Sequence, residues 1–143
     1  MKIRQLSVFL ENRLGRLAGV TKILGDNDIN IRALSVADTT GFGILRLIVD
    51  DIEKAEACLL EKEIVCRVNK VAVVAVDNHP RGLSKVLNIL HASSINIEYM
   101  YAIAEPCCDS SLMVFRFTEP ERATAVLKAA DISTLQESDL FQE

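Results

Sequence analysis

The sequence predicts an α+β protein built from two tandem copies of one βαββαβ unit. Each copy is an antiparallel sheet carrying both helices on one face. Three observations predict it. The 143-residue chain matches itself at a displacement of 66 residues. Each half alternates β-branched runs with amphipathic stretches. Half of the chain is hydrophobic and a quarter charged, the usage of a packed globular protein rather than a disordered one.

The self-match is read residue by residue. Asn12 falls on Asn78, Leu17 on Leu83, Val20 on Val86, and Leu24 on Leu90. Ile29-Asn30-Ile31 falls on Ile95-Asn96-Ile97. After a two-residue slip Leu45, Leu47 and Val49 meet Met113, Phe115 and Phe117. The slip falls where Glu105–Ser110 replaces the shorter Ala37–Gly41, a loop between strands where insertion is tolerated. The domains are accordingly residues 1–68 and 69–143.

In each copy the elements follow in order. Lys2–Leu10 and Val71–Val76 are apolar and β-branched and read as first strands. Asn12–Gly15 and Asn78–Gly82 are turns. Leu83, Val86, Leu87 and Leu90 form one buried helical stripe, and Leu17, Val20 and Leu24 the same stripe in the first copy. Ile29–Val36 and Ile95–Ala104 are second strands, forming hairpins with the third strands Ile44–Val49 and Leu112–Phe117.

Asp50 with Glu53, and Thr118 with Glu121, have capping-box spacing and open a second helix, with Pro120 tolerated in its first turn. Ile64–Val68 is a fourth strand, and Ile132–Gln136 its weaker counterpart. The tail Glu137–Glu143 is polar and is expected to fray. Right-handed crossovers make each unit a ferredoxin-like plait. Val71–Val76 is apolar on both parities, so that strand is covered on both faces or lies at an edge. The junction Val68–Val71 is too short for a flexible linker, so the two plaits are expected to pack together.

Function classes narrow on the same evidence. The formal net charge of −4 weighs against nucleic acid. The third strands also lack the aromatic signature of an RNA-recognition plait. No apolar run approaches the roughly 18 residues of a membrane helix, and the N-terminus lacks a signal peptide, so a cytoplasmic location is expected. Cys58, Cys66, Cys107 and Cys108 have no CxxC spacing and are read as reduced thiols; no cofactor or metal is expected. His79 and His91 are the only histidines, and no catalytic constellation is readable, so no enzyme is expected. Asn12-Arg13 is only a faint echo of the acylphosphatase phosphate loop.

The segments Glu11-Asn12-Arg13-Leu14-Gly15-Arg16-Leu17 with Ile29-Asn30-Ile31, and Asp77-Asn78-His79-Pro80-Arg81-Gly82-Leu83 with Ile95-Asn96-Ile97, resemble the ACT domain. The resemblance covers nearly the whole chain, with Leu14 in place of the usual proline and Arg81 separating Pro80 from Gly82. It implies a regulatory module that binds a small molecule, usually a free amino acid, between two copies of the domain. In members that bind amino acids, an Asn before the turn meets the Asn of Ile-Asn-Ile across the interface. Here that pairs Asn12 with Asn96 and Asn78 with Asn30.

The expected ligand-binding residues are Asn12, Arg13, Leu14, Gly15, Leu17, Asn30 and Ile31, then Asn78, His79, Pro80, Arg81, Gly82, Leu83, Asn96 and Ile97. The physical rationale is a turn glycine that lets a ligand approach the backbone, and a helix start that suits a carboxylate. Each asparagine also has a plainer reading as a cap, turn or solvent-facing residue. The implied partners are a free amino acid, a second copy in a homodimer, and a regulated enzyme or regulator. The run Leu6–Asn12 also looks like the opening of the acetohydroxyacid synthase small subunit, which makes a regulatory small subunit of a biosynthetic enzyme the alternative.

Overall fold

The structure is a computed structural model that describes residues 3–11, 13–39, 42–103 and 110–140. Asn12, Cys107 and Cys108 therefore lie outside the described residues. Two compact units are present, Arg4–Asn69 and the chain from Lys70 onward with Ile3.

The first unit contains β1 (Ile3–Glu11), α1 (Arg16–Asp26), β2 (Ile31–Thr39), β3 (Phe42–Val49) and α2 (Ile52–Glu61), and ends in the start of β4 (Cys66–Asp77). β1 and β2 both pair antiparallel with β3, Leu6 lying opposite Leu47 and Val36 opposite Leu45. The Phe9 N–H donates to the Val65 carbonyl at 3.0 Å, which sets the entry to β4 beside β1. Leu6, Val8, Leu45 and Leu47 of the sheet meet Val20 and Leu24 of α1 and Ala55 and Leu59 of α2 in one core. Both helices thus cover the same face, as the stripe spacing predicts. On the other face the buried Gln5 amide donates to Ser7 Oγ, which donates to Asn69 Oδ1 at 2.7 Å. That chain satisfies polar groups that burial would otherwise penalise.

The second unit repeats the plan with the rest of β4, α3 (Gly82–Ala92), β5 (Ile97–Ala102), β6 (Ser110–Phe117), α4 (Pro120–Ala129), β7 (Thr134–Leu135) and α5 (Glu137–Leu140). β6 lies between β5 and β4, and β7 pairs with β4 on its other side. Its core joins Ala72, Val74, Phe115 and Phe117 to Val86, Leu90, Ala123 and Leu127.

The duplication extends to single hydrogen bonds. All four long helices stop alike. Asp28, Glu63, Ser94 and Asp131 take positive φ of 56–60°, and the isoleucine after each returns its N–H to a helix carbonyl at 2.9 Å. This left-handed stop satisfies the helix C-terminus and turns an apolar residue back toward the core.

Several expectations are corrected. The two strands expected at Ile64–Val68 and Val71–Val76 are one continuous strand, Cys66–Asp77. The N-cap of α2 is Asp51, whose carboxylate accepts from the Lys54 N–H at 3.1 Å; Asp50 instead accepts the Asn30 N–H. The N-cap of α4 is Glu119, one residue after Thr118. Leu17 is 43% exposed, so the buried stripe of α1 is Val20 and Leu24. Glu137–Leu140 is a short helix with Leu140 buried, where a frayed tail was expected.

The two turns into the first helices need their glycines for different reasons. Gly15 is the residue before α1 and has φ +86°, a left-handed backbone that side chains resist. Its positional equivalent Arg81 has φ −103°. The close approach falls one residue later, at Gly82, where a Cβ would lie 1.8 Å from the Asp77 carbonyl oxygen. Gly82→Ala should therefore destabilise the protein by about 1–3 kcal/mol through forced backbone displacement. Gly25→Ala, in a helix with open space around it, should be neutral or stabilising by up to about 1 kcal/mol. Urea unfolding of the two variants checks the contrast.

Candidate functional site

The chemistry-bearing residues gather where the first strand of each unit turns into its first helix. The two turns share one hydrogen-bond skeleton. Arg13 N–H donates to Glu11 O and His79 N–H to Asp77 O, at 2.8 and 3.0 Å. Arg16 N–H donates to Arg13 O and Gly82 N–H to His79 O, at 3.2 and 3.0 Å. The side chains repeat as well. Glu11 faces Arg13 at 3.0 Å, and Asp77 faces His79 Nε2 at 3.7 Å. The Arg81 N–H donates to His79 Nδ1, so Nδ1 is the acceptor nitrogen of that ring.

A groove of about 540 Å³ opens beside the first turn. Its walls are the end of β1, the first two turns of α1 and the link from α2 to β4, with Leu10, Gly15, Gly19, Ile23 and Ile64 among its lining. Apolar surface predominates. Glu11 and Arg16 stand on its rim with their charges 3.9 Å apart, each about half exposed. The hydrogen bond from Arg13, reinforced by the charges of Arg16 and Arg13, holds the Glu11 carboxyl below the usual carboxylate range. A smaller hollow of about 240 Å³ on the other side of this corner is bordered by Arg13, Leu17 and Val36.

The second unit has the equivalent groove, and it is contracted to about 190 Å³ and is mainly polar. Lys85 lines it where Gly19 lines the first, Gly82 stands for Arg16, and Ser133 for Val65.

The expected site residues distribute as follows. Arg13, Leu14, Gly15 and Leu17 are exposed at the first turn, as are Asn78, His79, Pro80 and Arg81 at the second. Gly82 is buried at the start of α3, and Leu83 is half-buried against the second core. Ile31 and Ile97 pack on their cores. Asn30 and Asn96 are exposed, each at the opposite end of its own sheet from its own turn. The Asn96 amide donates to Thr118 Oγ1 at 2.8 Å, and the Asn30 carbonyl accepts from the Asp50 N–H at 3.2 Å. Within a unit, then, the turn and the Ile-Asn-Ile segment do not meet. Asn12 lies outside the described residues.

The expected ligand-binding residues omit Arg16, Gly19 and Ile64. Arg16 stands in the ACT-like segment, where an arginine can hold a carboxylate but is more often simply solvated; Gly19 carries no motif, and Ile64 joins them only through the pairing of Val65 with Phe9. Tyr99 and Tyr101 are half-buried on β5. Cys58 and Cys66 are half-buried free thiols; burial, and secondarily the charge of Glu56, pushes the Cys66 thiol up. Among the described residues no group of three His, Cys, Asp or Glu side chains converges on a metal position, and no helix is long and apolar enough to cross a membrane.

Because its folded-state pKa is depressed, the Glu11 interaction is present above the unfolded carboxylate pKa and lost as pH falls through the folded value. Arg13→Ala should raise the Glu11 pKa toward the ordinary range, with Arg16 keeping part of the depression. Carboxyl NMR titration of the two proteins measures this directly.

A family model described as an ACT domain pair matches residues 1–143. A protein of known crystal structure from Bacteroides thetaiotaomicron is 38% identical, with a TM-score of 0.92 over 100% of this chain and 98% of that one. The regulatory subunit of aspartate kinase from Thermus thermophilus, in ligand-free form, is 17% identical with a TM-score of 0.64, over 97% of this chain and 93% of that one. The corresponding subunit from Thermus flavus is 16% identical with a TM-score of 0.62, over 97% and 92%. At those identities the likeness is one of fold. No curated protein matches the sequence. Matched from its first residue to its last, the chain belongs to the ACT domain pair family.

Proposed function

We propose that this protein is a non-catalytic sensor that binds a free amino acid beside a turn of the β1–α1 type and regulates a partner protein. The observation that carries the reading is an ACT domain pair whose first turn holds paired opposite charges beside a groove of small-molecule size. A zwitterion offers one group of each sign, so such a rim complements both ends of an amino acid. Asn12 and Asn78 add amide donors and acceptors to the turns. Asn30 and Asn96 lie at the far ends of their own sheets, so they serve a ligand held at a turn only from a different ACT domain.

Regulation follows if the ligand prefers one arrangement of the domains, since binding shifts an equilibrium only by differential affinity. The partner is a regulated enzyme or regulator. The resemblance of Leu6–Asn12 to the acetohydroxyacid synthase small subunit favours an amino-acid biosynthetic enzyme as that partner.

Thermal unfolding against each of the twenty amino acids tests the reading. Ligand at 100 times its dissociation constant should stabilise by about 2.7 kcal/mol. The expected result is a rise of several degrees with one chemical class of amino acid, abolished in the folded double variant Asn12→Ala/Asn78→Ala. No rise with any of the twenty, or a full rise in the double variant, contradicts it.

A further inference from the structure

The two copies of the corner are an internal comparison, and they are not equivalent. The first groove is nearly three times the volume of the second, and its lining is mainly apolar where the second is mainly polar. Three exchanges distinguish the two linings, beside Phe9 to Ala75 and Lys62 to Ala130, which act toward a wider second groove. Gly19, with nothing within 4 Å of a Cβ position, becomes Lys85, whose long side chain lines the second groove. Arg16 becomes Gly82, which removes the guanidinium from the rim and brings the helix start against Asp77. Val65 becomes Ser133.

A backbone difference underlies the exchange of Arg16 for Gly82. The left-handed Gly15 delivers α1 so that the next residue has room for a side chain, whereas at Gly82 that room is taken by the Asp77 carbonyl.

We infer that the first ACT domain's groove holds one free amino acid with an apolar side chain, and that the equivalent groove of the second domain holds none. The inference rests on the amino-acid-sensor reading and adds the ligand class, the site and the stoichiometry. The α-carboxylate meets Arg16 and the α-ammonium meets Glu11, which already stand at opposite sign on one rim. The side chain enters between Leu10, Ile23 and Ile64 over the gap left by Gly19. Apolar burial there rewards an aliphatic or aromatic ligand. Lys62 and Glu63 also line the groove but are exposed, so they add no buried counter-charge for the side chain of lysine or aspartate. In the second domain the Arg16 partner is absent and Lys85 lines the space.

Titration calorimetry of the full chain with L-leucine, L-isoleucine and L-phenylalanine, and with L-aspartate and L-lysine, tests the inference. The apolar set should bind at one per chain and the charged set should not. Gly19→Lys, which copies the second domain at an open helical position, should lose at least tenfold in affinity while keeping its unfolding midpoint. Lys85→Ala should bind as the parent does. Two apolar ligands per chain, preference for a charged amino acid, or unchanged affinity in Gly19→Lys would each overturn the site or ligand class while leaving the sensor reading standing. Failure of all twenty amino acids to stabilise the protein would remove both.

Discussion

The passage from first strand to first helix constrains everything else in each unit. The strand must end, reverse and release a helix that packs back across the sheet within about four residues. Only a backbone that avoids its own carbonyls can do so. In the second unit the solution is a close approach, with Gly82 against the Asp77 carbonyl where no Cβ fits. In the first it is a left-handed residue, Gly15, after which Arg16 carries a full side chain. Both solutions keep the same hydrogen bonds from Arg13 and His79, and both feed the same core stripe, Val20–Leu24 and Val86–Leu90. The fold is therefore duplicated while the cavity beside the corner is not.

The difference has chemical consequences because the corner is where charge collects. Glu11, Arg13 and Arg16 form one exposed cluster, with the Glu11 carboxyl held ionised by its neighbours. Asp77 and His79 form the equivalent pair without a third member in the place of Arg16. Surface ion pairs of this kind contribute little to stability. The helix packing beneath them supplies the rigidity that a preorganised site needs.

Much of the fold was legible in the sequence. Strands, helices and the duplication followed from hydrophobic period and the repeated Ile-Asn-Ile, since those patterns record which face is buried. What was not legible has local causes. The capping-box spacing pointed to Asp50, but the adjacent Asp51 has the same side chain, and the geometry gives Asp51 to the helix and Asp50 to Asn30. A bulge after Ile31 shifts the register of β2, and the apolar Leu34 and Val36 come to lie on its exposed side. The four residues of Glu137–Leu140 are too few to show a period. At the site, the turns could be read from glycine and asparagine, but the groove could not. Its walls come from α1 and from the link after α2, which are distant in sequence and joined through the bond from Phe9 to Val65.

The two corners share a hydrogen-bond skeleton but differ in the groove beside it. Backbone amide NMR during addition of L-leucine, L-isoleucine or L-phenylalanine reads both corners in one sample. A ligand held at the first corner alone should give saturable shifts at Gly15, Arg16, Gly19 and Ile64, with Arg81, Gly82, Lys85 and Ile132 unmoved. Equal shifts at both sets, or shifts confined to the second, would contradict it.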